Sequence, residues 1–137
     1  MSPEGRDGRY PEQLLIEQIR PDEQIEAFRA VHVASVDDAE LELSFRSHYE
    51  LGLKPQPSES QHAAIYMAIS LWRDPEIIEE YARRFPALGT HIARVELRYG
   101  AGLDRLDPEM ERNPQHLTIW GTRESFQPMI VDIYPLE

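Results

Sequence analysis

The chain has no cysteine. That excludes disulfides, thiolate nucleophiles and cysteine-ligated zinc. Long apolar runs are missing as well. No stretch approaches the roughly 18–20 residues of a membrane helix. The opening MSPEGRDGRY holds no apolar leader core, so the expected location is the cytoplasm. Lysine is almost absent: Lys54 is the one lysine among 14 basic residues, and no basic run occurs. With a net charge of −11, phosphate neutralisation along a nucleic acid is disfavoured. Neither nucleic acid nor membrane is expected as a partner. A glycine-rich phosphate loop is missing, because Gly100-Ala101-Gly102 follows a strand pattern without opening a helix. No serine sits between glycines at nucleophile-elbow spacing. The histidines at 32, 48, 62, 91 and 116 contain no i,i+4 pair suited to zinc.

What is present is an ordinary globular composition, 41% hydrophobic and 28% charged over 137 residues. Residues 1–9 are polar and expected to be disordered or draped on the surface; residues 10–137 form one domain. The clearest pattern is strand, helix, strand. Residues 64–72 alternate, with Ile65, Met67, Ile69 and Leu71 facing one way and Tyr66, Ala68, Ser70 and Trp72 the other. Asp74-Pro75-Glu76 then reads as N-cap, first-turn proline and first-turn acid. The helix from Pro75 to Phe85 carries Ile77, Ile78, Tyr81, Ala82 and Phe85 on one stripe. Glu79/Arg83 and Glu80/Arg84 are i,i+4 pairs on its exposed side. Residues 90–99 alternate again, with Ala93, Val95, Leu97 and Tyr99 on one face.

The rest is less regular. Residues 10–19 are expected to form a short helix. Residues 24–34 form a strand with Ala27, Arg29, Val31 and Val33 on one face and Phe28, Ala30 and His32 on the other. Ser35 looks like the cap of a short helix ending near Leu43. Residues 44–60 read as a long loop, mobile without ligand. Residues 103–115 read as irregular. HLTIW at 116–120 is a strand, residues 122–127 a turn of helix, and residues 129–134 a closing strand. The count is about five strands and two or three helices without regular alternation, which predicts an α+β fold with a mixed or mostly antiparallel sheet.

Polar residues inside apolar strands mark the candidate sites. Arg29 and His32 interrupt FRAVH, Tyr66 and Ser70 share a face of YMAIS, and His116 shares one with Thr118 and Trp120. Each has a structural alternative: a strand-edge ion pair for Arg29, a bonded core histidine for His32, a semi-polar sheet face for Tyr66 and Ser70, and an inter-strand bridge for His116.

The order F-R-x-x-H, a phenylalanine–serine loop, YMAISLW, R-D-P-E, THIARVEL and HLTIWG resembles small bacterial proteins with an ADP-ribosyltransferase-like fold, some of them linked to toxin or defence systems. The resemblance spans residues 25–135. It implies a split antiparallel sheet whose cleft holds NAD as substrate. It further implies cofactor-binding roles for Arg29, His32, Tyr66 and Ser70, and catalytic roles for Glu124 and His116. Glu124 lies after its strand and outside a clear E/Q-x-E motif. The resulting expectation is an NAD-utilising transferase or NAD-cleaving protein. The alternative is a non-catalytic module that keeps the fold and binds a nucleotide or a basic protein partner, consistent with the acidic surface.

Overall fold

The computed structural model describes residues 14–20, 23–39, 41–45, 67–100, 102–121 and 123–137. Among the described residues there are seven strands: β1 (Ile16–Gln18), β2 (Ile25–Val31), β3 (Ile69–Trp72), β4 (His91–Leu97), β5 (Asp104–Leu106), β6 (His116–Trp120) and β7 (Ile130–Pro135). Helices α1 (Leu41–Ser44), α2 (Pro75–Arg84) and α3 (Arg123–Phe126) accompany them, with 3-10 turns at Pro86–Leu88, Pro108–Met110 and Gln127–Met129. The strands form one sheet in the order β1-β5-β6-β3-β2-β4-β7. Every pairing is antiparallel.

Strand alternation gives the sheet two covered faces. On the first, Ala27, Val31, Ile69, Leu71, Ala93, Val95, Leu97, Leu117 and Ile119 pack with Leu41, Phe45, Phe126 and Met129. The rings of Phe45 and Phe126 stack 5.2 Å apart across this layer. On the second, Phe28, Ala30 and Ile92 pack with Ile78 and Ala82 of α2, and with Trp72, Tyr134 and Leu136.

α2 forms where its punctuation predicts. The Asp74 side chain accepts from the Glu76 amide at 3.0 Å, satisfying one of the orphan donors of the first turn. Its ion pairs sit on the outer side, Glu79–Arg83 at 3.5 Å and Glu80–Arg84 at 3.3 Å. The buried stripe is narrower than expected, because Ile78 and Ala82 are buried whereas Tyr81 and Phe85 are 36% and 55% exposed. A single helix on a sheet buries the width that faces the strands, and both aromatic residues lie at its edge.

Gly89 joins α2 to β4 against the end of β2, where the Thr90 amide donates to the Val31 carbonyl at 2.9 Å. A Cβ at 89 would stand 2.5 Å from the Val31 carbonyl oxygen and 2.7 Å from its nitrogen. Backbone cannot rotate away as a side chain can. Gly89→Ala is therefore expected to lower stability by about 1–3 kcal/mol, read from urea unfolding; an unchanged midpoint would show that β2 yields freely here.

Several expectations are corrected. Residues 16–18 are strand β1 and not helix, pairing with β5 from Ile16↔Leu106 to Gln18↔Asp104. An isolated helix of this length is marginal, and the free edge of β5 offers backbone partners. Ser35 caps a turn, its hydroxyl accepting from the Asp37 amide at 3.2 Å, and the helix starts later, at Leu41. β3 begins at Ile69, after a turn and bend at 67–68. The segment 103–115 contains β5. Tyr99 is 57% exposed, past the end of β4. The expected disorder or draping of residues 1–9, most of the 44–60 loop with its expected mobility, and the start of the 64–72 strand lie outside the described residues.

Candidate functional site

β2 and β3 meet at a single residue pair, Phe28↔Trp72. Beyond it β2 continues beside β4, and β3 beside β6. Arg29 bridges this parting. Its Nε donates to the Ser44 carbonyl at 2.6 Å and its NH1 to the Ser70 carbonyl at 2.8 Å. Ser44 ends α1, so its carbonyl has no helical partner of its own. The guanidinium lies 5.7 Å from the Phe45 ring centroid, within cation–π range. Burial pushes its pKa down to about 10. Among the described residues no carboxylate pairs with it.

His32 follows the end of β2 with its side chain exposed, and its amide donates to the Ser44 hydroxyl at 3.3 Å. Arg29, His32 and Ser70 are thus drawn together through Ser44 and the backbone of β3. Their side chains do not share one face: Arg29 lies on the first face, while Ser70 lies exposed on the second, between Ile69 and Leu71 of the core. Tyr66 lies outside the described residues.

His116 opens β6 opposite Trp72, with Ser70 opposite Thr118. Its Nδ1 is 2.8 Å from Glu111 Oε1. The other Glu111 oxygen accepts from the Thr118 amide at 2.7 Å, and the Thr118 hydroxyl donates to Oε1 at 3.1 Å. The Glu111 side chain is 2% exposed and the His116 side chain 17%. Trp72 meets the imidazole edge-on at 4.8 Å, and Tyr81 at 5.5 Å. Sequence reasoning missed Glu111, which sits in the segment read as irregular; a carboxylate five residues before H-x-T was the one available signal. His116 and Arg29, both assigned to one NAD cleft by the resemblance, occupy opposite faces, because Trp72 and Phe28 stand in register with His116 on the second face.

Glu124 is exposed on α3. It lines a hollow of about 300 Å3 with Arg98, Tyr99, Ser125, Pro128 and Met129. Leu97 pairs with Ile25, four residues before Arg29; at about 3.3 Å per residue the hollow lies roughly 13 Å or more along the sheet from Arg29. Neither Arg29 nor His116 lines the hollow that Glu124 lines. A second hollow of about 320 Å3 lies between α2 and β7, lined by Glu79, Arg83, Tyr134 and Leu136. There the Tyr134 hydroxyl donates to Glu79 at 2.8 Å. Burial, and then that carboxylate, push the phenol above its usual range. Neither hollow is lined by Arg29, His32, Ser70 or His116.

No family model, no curated protein and no solved structure matches the chain. No helix among the described residues is long and apolar enough to cross a membrane.

Proposed function

We propose that the protein binds a nucleotide of the NAD class at the parting of β2 and β3, as its resemblance to ADP-ribosyltransferase-like proteins implies. The observation that carries this reading is Arg29, a desolvated guanidinium with no carboxylate partner among the described residues. A cation held on two carbonyls keeps further N–H donors for a pyrophosphate, and Arg suits that planar, bidentate geometry. His32 follows the end of β2 and is tied to the same Ser44 through its amide, while Ser70 contributes only its backbone carbonyl.

Arg29→Met tests the reading. Wild type is expected to gain thermal stability with NAD, and the variant to lose about 10–100-fold in affinity, the worth of a bond to a charged group. Burial pushes the guanidinium down only to about 10, so it stays charged at neutral pH and its own contribution to affinity should not change between about pH 6 and 8. No NAD-dependent shift in wild type would sink the proposal.

Binding without cleavage is a second reading, favoured by the distance of Glu124 from Arg29. NAD cleavage develops positive charge on the ribose and calls for a carboxylate beside it. Nicotinamide release abolished by Glu124→Gln would establish the enzyme; binding with no release would establish the module.

A further inference from the structure

The second face of the sheet carries a different chemistry. Ser70 stands exposed on β3, directly across from Thr118 and diagonal to His116 on β6. Diagonal neighbours across an antiparallel pair are about 7–8 Å apart at Cα and closer at Cβ, within reach of an imidazole and a hydroxyl. The imidazole is already oriented. Its Nδ1 is held at 2.8 Å by Glu111, whose carboxylate is buried and fixed by two further bonds from Thr118. With Nδ1–H donating its hydrogen bond to Glu111, the other ring nitrogen, Nε2, carries the lone pair. A buried carboxylate, an oriented imidazole and an exposed hydroxyl are the parts of an acyl-transfer centre, recognised by roles and not by chain order. Trp72 and Tyr81 flank it with aromatic surface.

We propose that Ser70, His116 and Glu111 form a hydrolytic centre for neutral carboxylic esters, with an aryl or alkyl part lying against Trp72 and Tyr81. This inference is independent of the nucleotide reading, which concerns Arg29 on the opposite face. Ser70 Oγ attacks the ester carbonyl carbon as His116 Nε2 takes its proton. The carbon–oxygen bond to the alcohol breaks, and the proton passes from Nε2 to the departing alkoxide. Water then attacks the acyl-serine, giving its proton to Nε2. The acid leaves as Ser70 Oγ recovers that proton. Glu111 is a positioning residue, since it meets neither substrate nor nucleophile. The net charge of −11 argues for a neutral ester over an anionic one.

Hydrolysis of p-nitrophenyl acetate and butyrate, and labelling by a fluorophosphonate read by peptide mass spectrometry, test the centre. Wild type should turn over the esters and take the label on Ser70. Ser70→Ala, at an exposed position, should keep the fold, lose the label and lower the rate about 100-fold; His116→Ala should lower it similarly. Glu111→Gln should keep the label on Ser70 but lower kcat and displace the pH profile, which a merely structural role would not do. Label on another residue, no turnover in wild type, or a Ser70→Ala variant as active as wild type would each overturn the proposal.

Discussion

Ile78→Ala is expected to lower the unfolding free energy by about 2–5 kcal/mol, through lost transfer energy and the cavity left behind. Ile78 is 7% exposed and packs with Phe28, Ala30, Ala82 and Ile92. This is the small cluster that seats α2 on the second face, so few neighbours can close over the gap. Glu80→Ala, one turn away in function though two residues away in sequence, should change stability by only about 0.2–0.5 kcal/mol. Both members of the Glu80–Arg84 pair are 60% exposed, and water screens what they gain. Urea unfolding of the two variants beside wild type separates the cases. Equal losses would mean that α2 is not seated through Ile78.

The same helix shows what one sequence can reveal. Asp74, Pro75 and the i,i+4 pairs are local signals, and each acts within a turn of where it stands. The long strands β2 and β4 were legible for a similar reason: seven residues are enough for a period of two to emerge. β1 and β5 have three residues each, too few for a period, and each is a strand because the other or β6 lies beside it. Arg29 stood out as a cation in an apolar strand, but its partners, two carbonyls from α1 and β3, are tertiary facts. His116 was legible as a strand-end histidine; the carboxylate that orients it depends on how residues 107–115 fold back over β6. Glu124 follows β6 closely in sequence, yet α3 carries it toward the end of β4. Sequence distance from a strand does not say toward which end of the sheet the following turn runs.

Arg105 was hidden inside the segment read as irregular, and it supports the sharpest remaining expectation. It is 1% exposed, deep on the first face opposite Ile119. One nitrogen, NH1, meets Glu23 Oε2 at 2.9 Å, while Nε and NH2 have no partner among the described residues. The ion pair is thus asymmetric: a buried cation incompletely satisfied, and a carboxylate that keeps 25% of its surface in water. Removing the carboxylate leaves the guanidinium buried without any charge to offset it, and Glu23→Ala should lose about 3–5 kcal/mol. Removing the cation has a milder consequence. Arg105→Met keeps the volume of the buried stem, abolishes two unsatisfied donors and leaves Glu23 with access to solvent, where Arg20 lies 3.6 Å away. It should cost far less than Glu23→Ala, because the carboxylate left behind keeps its access to water. The double variant, Glu23→Ala with Arg105→Met, should recover most of what Glu23→Ala loses, because its loss is the exposed debt of the lone cation. Chemical denaturation of the three variants measures the cycle. If Arg105→Met is as damaging as Glu23→Ala, the pair is held by contacts of the guanidinium that outweigh its two unpartnered nitrogens, and the desolvation argument fails for this site.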